Sequence, residues 1–145
     1  MDLQIDDFHK DVASALLALY QAFPRRIALY IDDLMPPEPV DEFGLPSKRH
    51  QSCIAALLWL ADEGYLRYET TVHFEALDQA VLTEKAFLRL AGPTLPPAQL
   101  PDELTPSLRR VRGSLARQLR VALAESQGEE LIRLVRQLLG AGAGD

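Results

Sequence analysis

Two short stretches decide the fold: residues 60–68, Leu-Ala-Asp-Glu-Gly-Tyr-Leu-Arg-Tyr, and residues 80–86, Ala-Val-Leu-Thr-Glu-Lys-Ala. In the first stretch an apolar helical run ends at Gly64, and residues typical of a strand follow at once. A helix that turns directly into a strand favours a residue with positive φ, which costs glycine little. In the second stretch an apolar strand runs into Thr83, a residue type that caps helices. Together they predict a helix, a two-stranded hairpin and a further helix.

Apolar periodicity and the positions of Pro and Gly extend this prediction to the rest of the chain. We predict helices over residues 7–23, 25–34, 47–64, 84–91 and 107–139 and strands over 65–72 and 78–83. The last helix should be interrupted near Gly113 and Gly128. The segment from Pro36 to Pro46 holds four prolines and is predicted as a loop. The fold class is therefore mainly α with a small antiparallel β-hairpin, an α+β arrangement.

The predicted core unites residues from the first four helices and the hairpin, all apolar and at regular spacing. They are Leu16, Leu19, Ile27, Ile31, Ile54, Leu57, Leu60, Leu66, Val81, Leu82 and Phe87.

Four segments follow from the same reading of the chain. They are a folded domain at residues 1–92, a proline-rich connector at 93–106, a helical packing or dimerisation segment at 107–139, and a flexible tail at 140–145.

The order of these elements and the two junctions resemble a winged helix-turn-helix domain of the kind found in bacterial regulators. Residues 60–68 resemble the passage from the recognition helix into the first wing strand, and residues 80–86 the corner between the second wing strand and the next helix. Ala86 stands where a glycine is often found at that corner. The resemblance is strongest from Ile54 to Leu90. It implies that the helix beginning at Ser47 enters the major groove of DNA.

The residues that such a helix and wing would present to DNA are polar or basic. They are Ser47, Lys48, Arg49, His50, Gln51 and Ser52 on the helix, with Arg67 and His73 in the wing. Arg and Lys can bond guanine edges or phosphates, and Gln can pair with adenine. The alternative is that Ser47 only caps the helix and the others are ordinary solvated side chains.

The distribution of charge and of apolar residues argues against DNA binding. The net charge is −6, and all of it lies in residues 1–46, where nine carboxylates face three basic residues. The wing carries Glu69, Glu75 and Asp78, which would repel phosphates. Residues 53–60 are apolar almost all round, and a helix of that kind is covered on more than one side. Leu58 and Trp59 therefore need a second partner.

The last third offers another interaction surface. An apolar stripe at helical spacing is flanked by Arg109, Arg110, Arg112, Arg117 and Arg120, with no carboxylate between residues 104 and 124. This helix packs on its own domain, pairs with a second copy, or binds DNA or an acidic partner. The predicted dimer or partner interface consists of apolar residues that are not assigned to the predicted core. They are Leu58, Trp59, Leu108, Val111, Leu115 and Leu119.

Enzyme chemistry is not indicated. Cys53, the single cysteine, lies in an apolar run and is interpreted as a core residue. His50, Cys53 and His73 form no recognisable metal-binding motif, so we expect no metal and no cofactor. No apolar run is long enough to span a membrane, and one cysteine forms no internal disulfide, so a cytoplasmic protein is expected.

The sequence therefore predicts a winged-helix DNA-binding protein, a dimeric transcriptional regulator. The alternative is a winged-helix protein–protein interaction module or assembly subunit that does not bind DNA directly. A third hypothesis is a ligand-responsive sensor with a pocket between the C-terminal helices and the wing domain, although no polar cluster specifies its ligand.

Overall fold

The computed structural model describes residues 3–94, 100–101 and 103–140. Its elements run in the order helix, strand, helix, three strands, and four further helices. They are α1 (Leu3–Ala22), β1 (Ile27–Tyr30), α2 (Lys48–Asp62), β2 (Leu66–Arg67), β3 (Thr70–Val72), β4 (Ala76–Leu82), α3 (Glu84–Ala91), α4 (Pro106–Gly113), α5 (Leu115–Ala124) and α6 (Gly128–Leu138). The mainly helical α+β class is confirmed.

The helix predicted over residues 25–34 is wrong. The chain forms β1 there, followed by one 3-10 turn at Ile31–Asp33. Leu29 and Ile31 are buried and Tyr30 between them is exposed, which is the alternation of a strand. The spacing of apolar residues in this segment fits the period of a helix as well as that of a strand. Pairing with β4 favours the strand.

The hairpin forms a small antiparallel sheet in which β4 lies at the centre. β1 pairs with one edge of β4, while β2 and β3 pair with the other. The single strand predicted over residues 65–72 is thus two short strands, which pair with β4 in the same register. β4 begins two residues earlier than predicted. α1 also begins earlier than expected, since Asp6 and Asp7 lie inside it.

Several local sequence predictions are confirmed. Ser47 and Thr83 cap α2 and α3 by accepting hydrogen bonds from the amides of His50 and Ala86. The C-terminal helical segment breaks after Gly113, where α4 ends, and again before Gly128, where α6 begins. Most of the predicted core is buried, whereas Ile27, Val81 and Phe87 are only half-buried.

The C-terminal helices complete one hydrophobic core with the preceding domain. Leu115 and Leu119 of α5 and Leu134 and Leu138 of α6 lie fully buried in the same cluster as Leu16 of α1. The chain leaving α3 is held against the start of α5, because the amide of Leu115 donates to the carbonyl of Gly92 at 2.9 Å. The predicted connector at residues 93–106 therefore joins parts of one packed body. Residues 95–99 and 102 of it, and 141–145 of the predicted tail, lie outside the described residues.

Gly64 has the positive φ that the sequence predicts, at 82°. We expect Gly64→Ala to lower the free energy of unfolding by about 1 kcal/mol, because an L residue is strained in that region. A Cβ there would have only ordinary contact with Lys85 Nζ at 3.7 Å, so the cost comes from the backbone. Urea denaturation measures it, with Gly128→Ala as the control. Gly128 begins α6 without positive φ and a Cβ there meets open space, so the control should be neutral or slightly stabilising.

Candidate functional site

Arg49, one of the predicted base-reading residues on α2, is bound by two carboxylates of α1. Its two terminal nitrogens donate to both oxygens of Asp11 at 2.7 and 2.6 Å, and its Nε lies 3.4 Å from Asp7. Asp11 is 1% exposed. The hydrogen bonds that Arg49 donates to the Asp11 carboxylate raise the pKa of Arg49. A bidentate pair of this kind fixes the geometry of both side chains, so it holds the first turn of α2 against α1.

Three other predicted residues around the start of α2 also have partners within the chain. The Ser47 hydroxyl accepts from the amide of His50 at 3.0 Å, and Gln51 Nε2 donates to the carbonyl of Pro46 at 2.9 Å. His50 Nε2 hydrogen-bonds the carbonyl of Phe74 in the hairpin turn. These contacts fasten the preceding loop and the hairpin to α2.

The remaining predicted DNA residues are exposed but separate. Lys48 and Ser52 lie on α2, Arg67 lies on β2, and His73 lies in the β3–β4 turn. Glu69 beside Arg67 pairs with Arg26 at 3.7 Å. Exposed carboxylates at Glu69 and Glu75 flank this hairpin, so its surface is not uniformly basic.

The loop between β1 and α2 is ordered by its own hydrogen bonds. Asp41 Oδ1 accepts from the amides of Phe43 and Leu45 at 2.9 and 2.8 Å, and the amide of Gly44 donates to the Asp41 carbonyl at 3.0 Å. This is the turn that Asp favours because its side chain bonds the backbone two residues on. Gly44 has a φ of 78°, which suits the turn. As a result, Phe43 projects from a defined loop and is 78% exposed.

The same loop forms one wall of a groove that we call the acidic groove. It has a volume of about 230 Å³ and lies between the loop, the start of α2 and the hairpin turn. Its walls combine exposed Val40 and Phe74 with carboxylates. The acidic lining residues are Asp32, Glu38 and Glu75, and His50 and His73 also line it. Within the described ranges, no cluster of three or more His, Cys, Asp or Glu side chains is placed to hold a metal ion.

The predicted dimer or partner residues divide into two groups. Leu115 and Leu119 face the core of the protein, and Leu58 packs against that core. Trp59 stays 39% exposed with its ring edge-to-face with Phe8 at 5.3 Å, while Leu108 and Val111 are 48% and 59% exposed on α4. Residues of α5 and α6 pack in the core of their own chain. The homodimer stays a prediction, and α4 and Trp59 are its exposed candidates.

Sequence reasoning missed Asp11, Phe43 and Phe74. Asp11 carried a signal, because it stands three residues after Phe8 and one before Val12 on the apolar side of α1, where a charge needs a partner. Phe43 lies in a loop, where no helical or strand period indicates whether a side chain is buried or exposed. The closeness of Phe74 to the loop depends on the docking of the hairpin against α2.

Cys53 is buried, and burial raises the pKa of its thiol to about 12. Compared with the ordinary value of 9.0, this leaves about a thousandfold less thiolate at any pH below both values. We expect an aromatic disulfide reagent to label Cys53 at least about a hundredfold more slowly than it labels a cysteine peptide, since thiolate is the reactive form. Absorbance of the released thiol measures the rate. Labelling in urea is the control, and rapid labelling of the folded protein would contradict the burial.

No helix in the described part of the chain is both long and apolar enough to cross a membrane. A comparison with protein-family models finds none that matches the chain, and comparisons with curated proteins and with solved structures find no match either.

Proposed function

We propose that the protein is a protein–protein interaction module or assembly subunit, built on a winged-helix-like domain, that binds its partner through the acidic groove and the loop beside it. The observation that carries the proposal is the ordered presentation of Phe43, held 78% exposed by hydrogen bonds within its own loop. A loop whose backbone is already ordered lowers the ordering cost of binding, and aromatic residues are enriched at protein interfaces.

Two features of α2 favour this function over base reading. Arg49 is neutralised by Asp11 and Asp7, and releasing it to meet DNA would leave Asp11 buried without its partner. The resemblance to helix-turn-helix domains also implies a helix before the recognition helix, where the chain has β1 and one 3-10 turn.

The chemistry of the groove defines the partner. Exposed Val40 and Phe74 line the groove beside carboxylates such as Glu38 and Glu75, and Phe43 projects from the loop that forms one wall. Two copies of the chain that met through this face would bring like charges together, which is unfavourable. The partner is therefore a different protein, with a basic rim around an apolar pocket that accepts the Phe43 ring.

Affinity capture from an extract of the source cells tests this function. We expect one discrete protein to bind the immobilised chain, to bind the Leu88→Ser variant equally, and to be lost with Phe43→Ser. Leu88 is the matched control because it is apolar and 56% exposed on α3, away from the groove. Retention should weaken as salt rises, since opposite charges surround the contact. Equal retention by both variants would contradict the proposal.

DNA binding by a dimeric regulator is the second candidate, favoured by the exposed Lys48 at the start of α2. Titration of random duplex DNA against salt separates the two functions. A protein that neutralises several phosphates loses affinity steeply, with log K falling by about 0.9 per phosphate for each unit of log salt. We expect no saturable duplex binding even at about 50 mM salt. Tight binding that Lys48→Glu abolishes would establish the DNA-binding function instead.

A further inference from the structure

Three arginines converge on a second groove, which we call the arginine groove. Arg110 of α4 and Arg117 and Arg120 of α5 line it, together with Tyr20 at the end of α1 and Ala91 at the end of α3. Its volume is about 360 Å³, within the range of pockets that bind small molecules. It lies where the C-terminal helices meet the preceding domain.

The charges of these three arginines are not neutralised within the described residues. Arg110 donates to the hydroxyl of Ser107 and Arg120 to the amide oxygen of Gln21, each at 3.3 Å, and both partners are neutral. Among the described side chains, none of the three forms an ion pair, and no carboxylate lines the groove. Like charges three residues apart on a helix, such as Arg117 and Arg120, repel each other. A bound anion would relieve that repulsion.

The lining specifies the chemistry of the ligand. A guanidinium group matches phosphate and carboxylate groups through paired hydrogen bonds, so three of them suit more than one anionic group. The rest of the lining is largely apolar and includes Tyr20, Ala91 and Val111. We propose that the arginine groove binds a small molecule that carries at least two phosphate or carboxylate groups and a compact apolar or planar portion.

The shape of the site favours a small ligand over duplex DNA. A groove of about 360 Å³ between helices holds a molecule of nucleotide size, whereas a duplex is too wide to enter it. The site is also distinct from the acidic groove. The two grooves have no lining residue in common.

Ligand binding would connect α4 to the body of the protein. Gly113 is the only buried residue of α4, and Leu108 and Val111 are exposed, so this helix packs only weakly against the core. An anion bridging Arg110 on α4 to Arg117 and Arg120 on α5 restrains α4 from its exposed side. The inference does not depend on the proposed protein partner, because it concerns other residues and another face.

Isothermal titration calorimetry with the full chain tests the site. The probes are sodium pyrophosphate, ATP without divalent cations and citrate, each compared with sodium chloride at the same ionic strength. The groove variant is Arg110→Gln with Arg117→Gln. The matched control is Arg112→Gln with Arg136→Gln, which removes the same charge from two exposed arginines that do not line the groove. Circular dichroism verifies that both variants fold.

We expect saturable binding of at least one probe, with an affinity that falls about tenfold or more in the groove variant and less than about threefold in the control. Binding of pyrophosphate or ATP alone identifies a phosphate ligand, and binding of citrate alone a polycarboxylate. Hydrogen exchange in α4 should slow when the ligand is present. No saturable binding by any probe would overturn the proposal, as would equal weakening in both variants. Saturable binding of duplex DNA alone, lost in the groove variant, would also overturn it.

Discussion

Asp11→Asn will lower the free energy of unfolding by about 3 kcal/mol, a large share of the stability of a domain of this size. Asp11 is 1% exposed and accepts both hydrogen bonds of the Arg49 guanidinium. Removing its charge leaves Arg49 partly buried, with only the longer contact to Asp7 at 3.4 Å. Urea denaturation followed by circular dichroism measures the change.

Asp7→Asn is the matched control for this experiment. Its carboxylate is more exposed, at 34%, and lies farther from the guanidinium, so the loss should stay below about 1 kcal/mol. The double variant Asp11→Leu with Arg49→Met should lie closer to the wild type than Asp11→Asn does, because an apolar pair avoids the unpaired buried charge. Equal effects of Asp7→Asn and Asp11→Asn would contradict the assignment of Asp11 as the main partner.

Leu119→Ala will cost about 3–4 kcal/mol, because it opens a cavity in the centre of the protein. Leu119 is 0% exposed on α5, in the cluster that α1, α3 and α6 share. The sequence interpretation placed it at an interface with another chain, where its loss would affect association and spare the monomer. The structure instead predicts a loss of monomer stability that is independent of protein concentration.

Val111→Ala is the control, because Val111 is apolar but 59% exposed on α4. It should change the free energy of unfolding by less than about 0.5 kcal/mol. Denaturation at two protein concentrations, followed by far- and near-ultraviolet circular dichroism, measures both variants. Both signals should change in one shared transition, since α5 and α6 share the core with α1. Two separate transitions would contradict the single core.

Local signals in the sequence predicted the junctions well, since each depends on residues close together in the chain. Gly64 supplies the positive φ at the end of α2, and Ser47 and Thr83 cap their helices as residue type and spacing indicated. The breaks near Gly113 and Gly128 were equally local. By contrast, residues 25–34 have apolar spacing that suits two structures, and pairing of Leu29 with Leu77 in β4 selects one of them.

The candidate sites were less predictable, because residue type does not tell where a side chain points. Arg49 has the same chemistry whether it faces DNA or Asp11, and 38 residues separate it from that partner. The arginines of α4 and α5 were visible as a charge pattern. Their convergence with Tyr20 on one groove depends on how the last helices dock against α1 and α3.

The hairpin junctions, the caps and the uneven charge follow from the sequence, because they depend on local backbone preference and composition. Tertiary structure determines which charges meet. It paired Arg49 with Asp11, left Phe43 exposed on the loop that borders the acidic groove, and gathered three arginines without a carboxylate among the residues that line their groove. Packing the apolar faces fixes these positions, because burying the core outweighs the preference of any single surface charge.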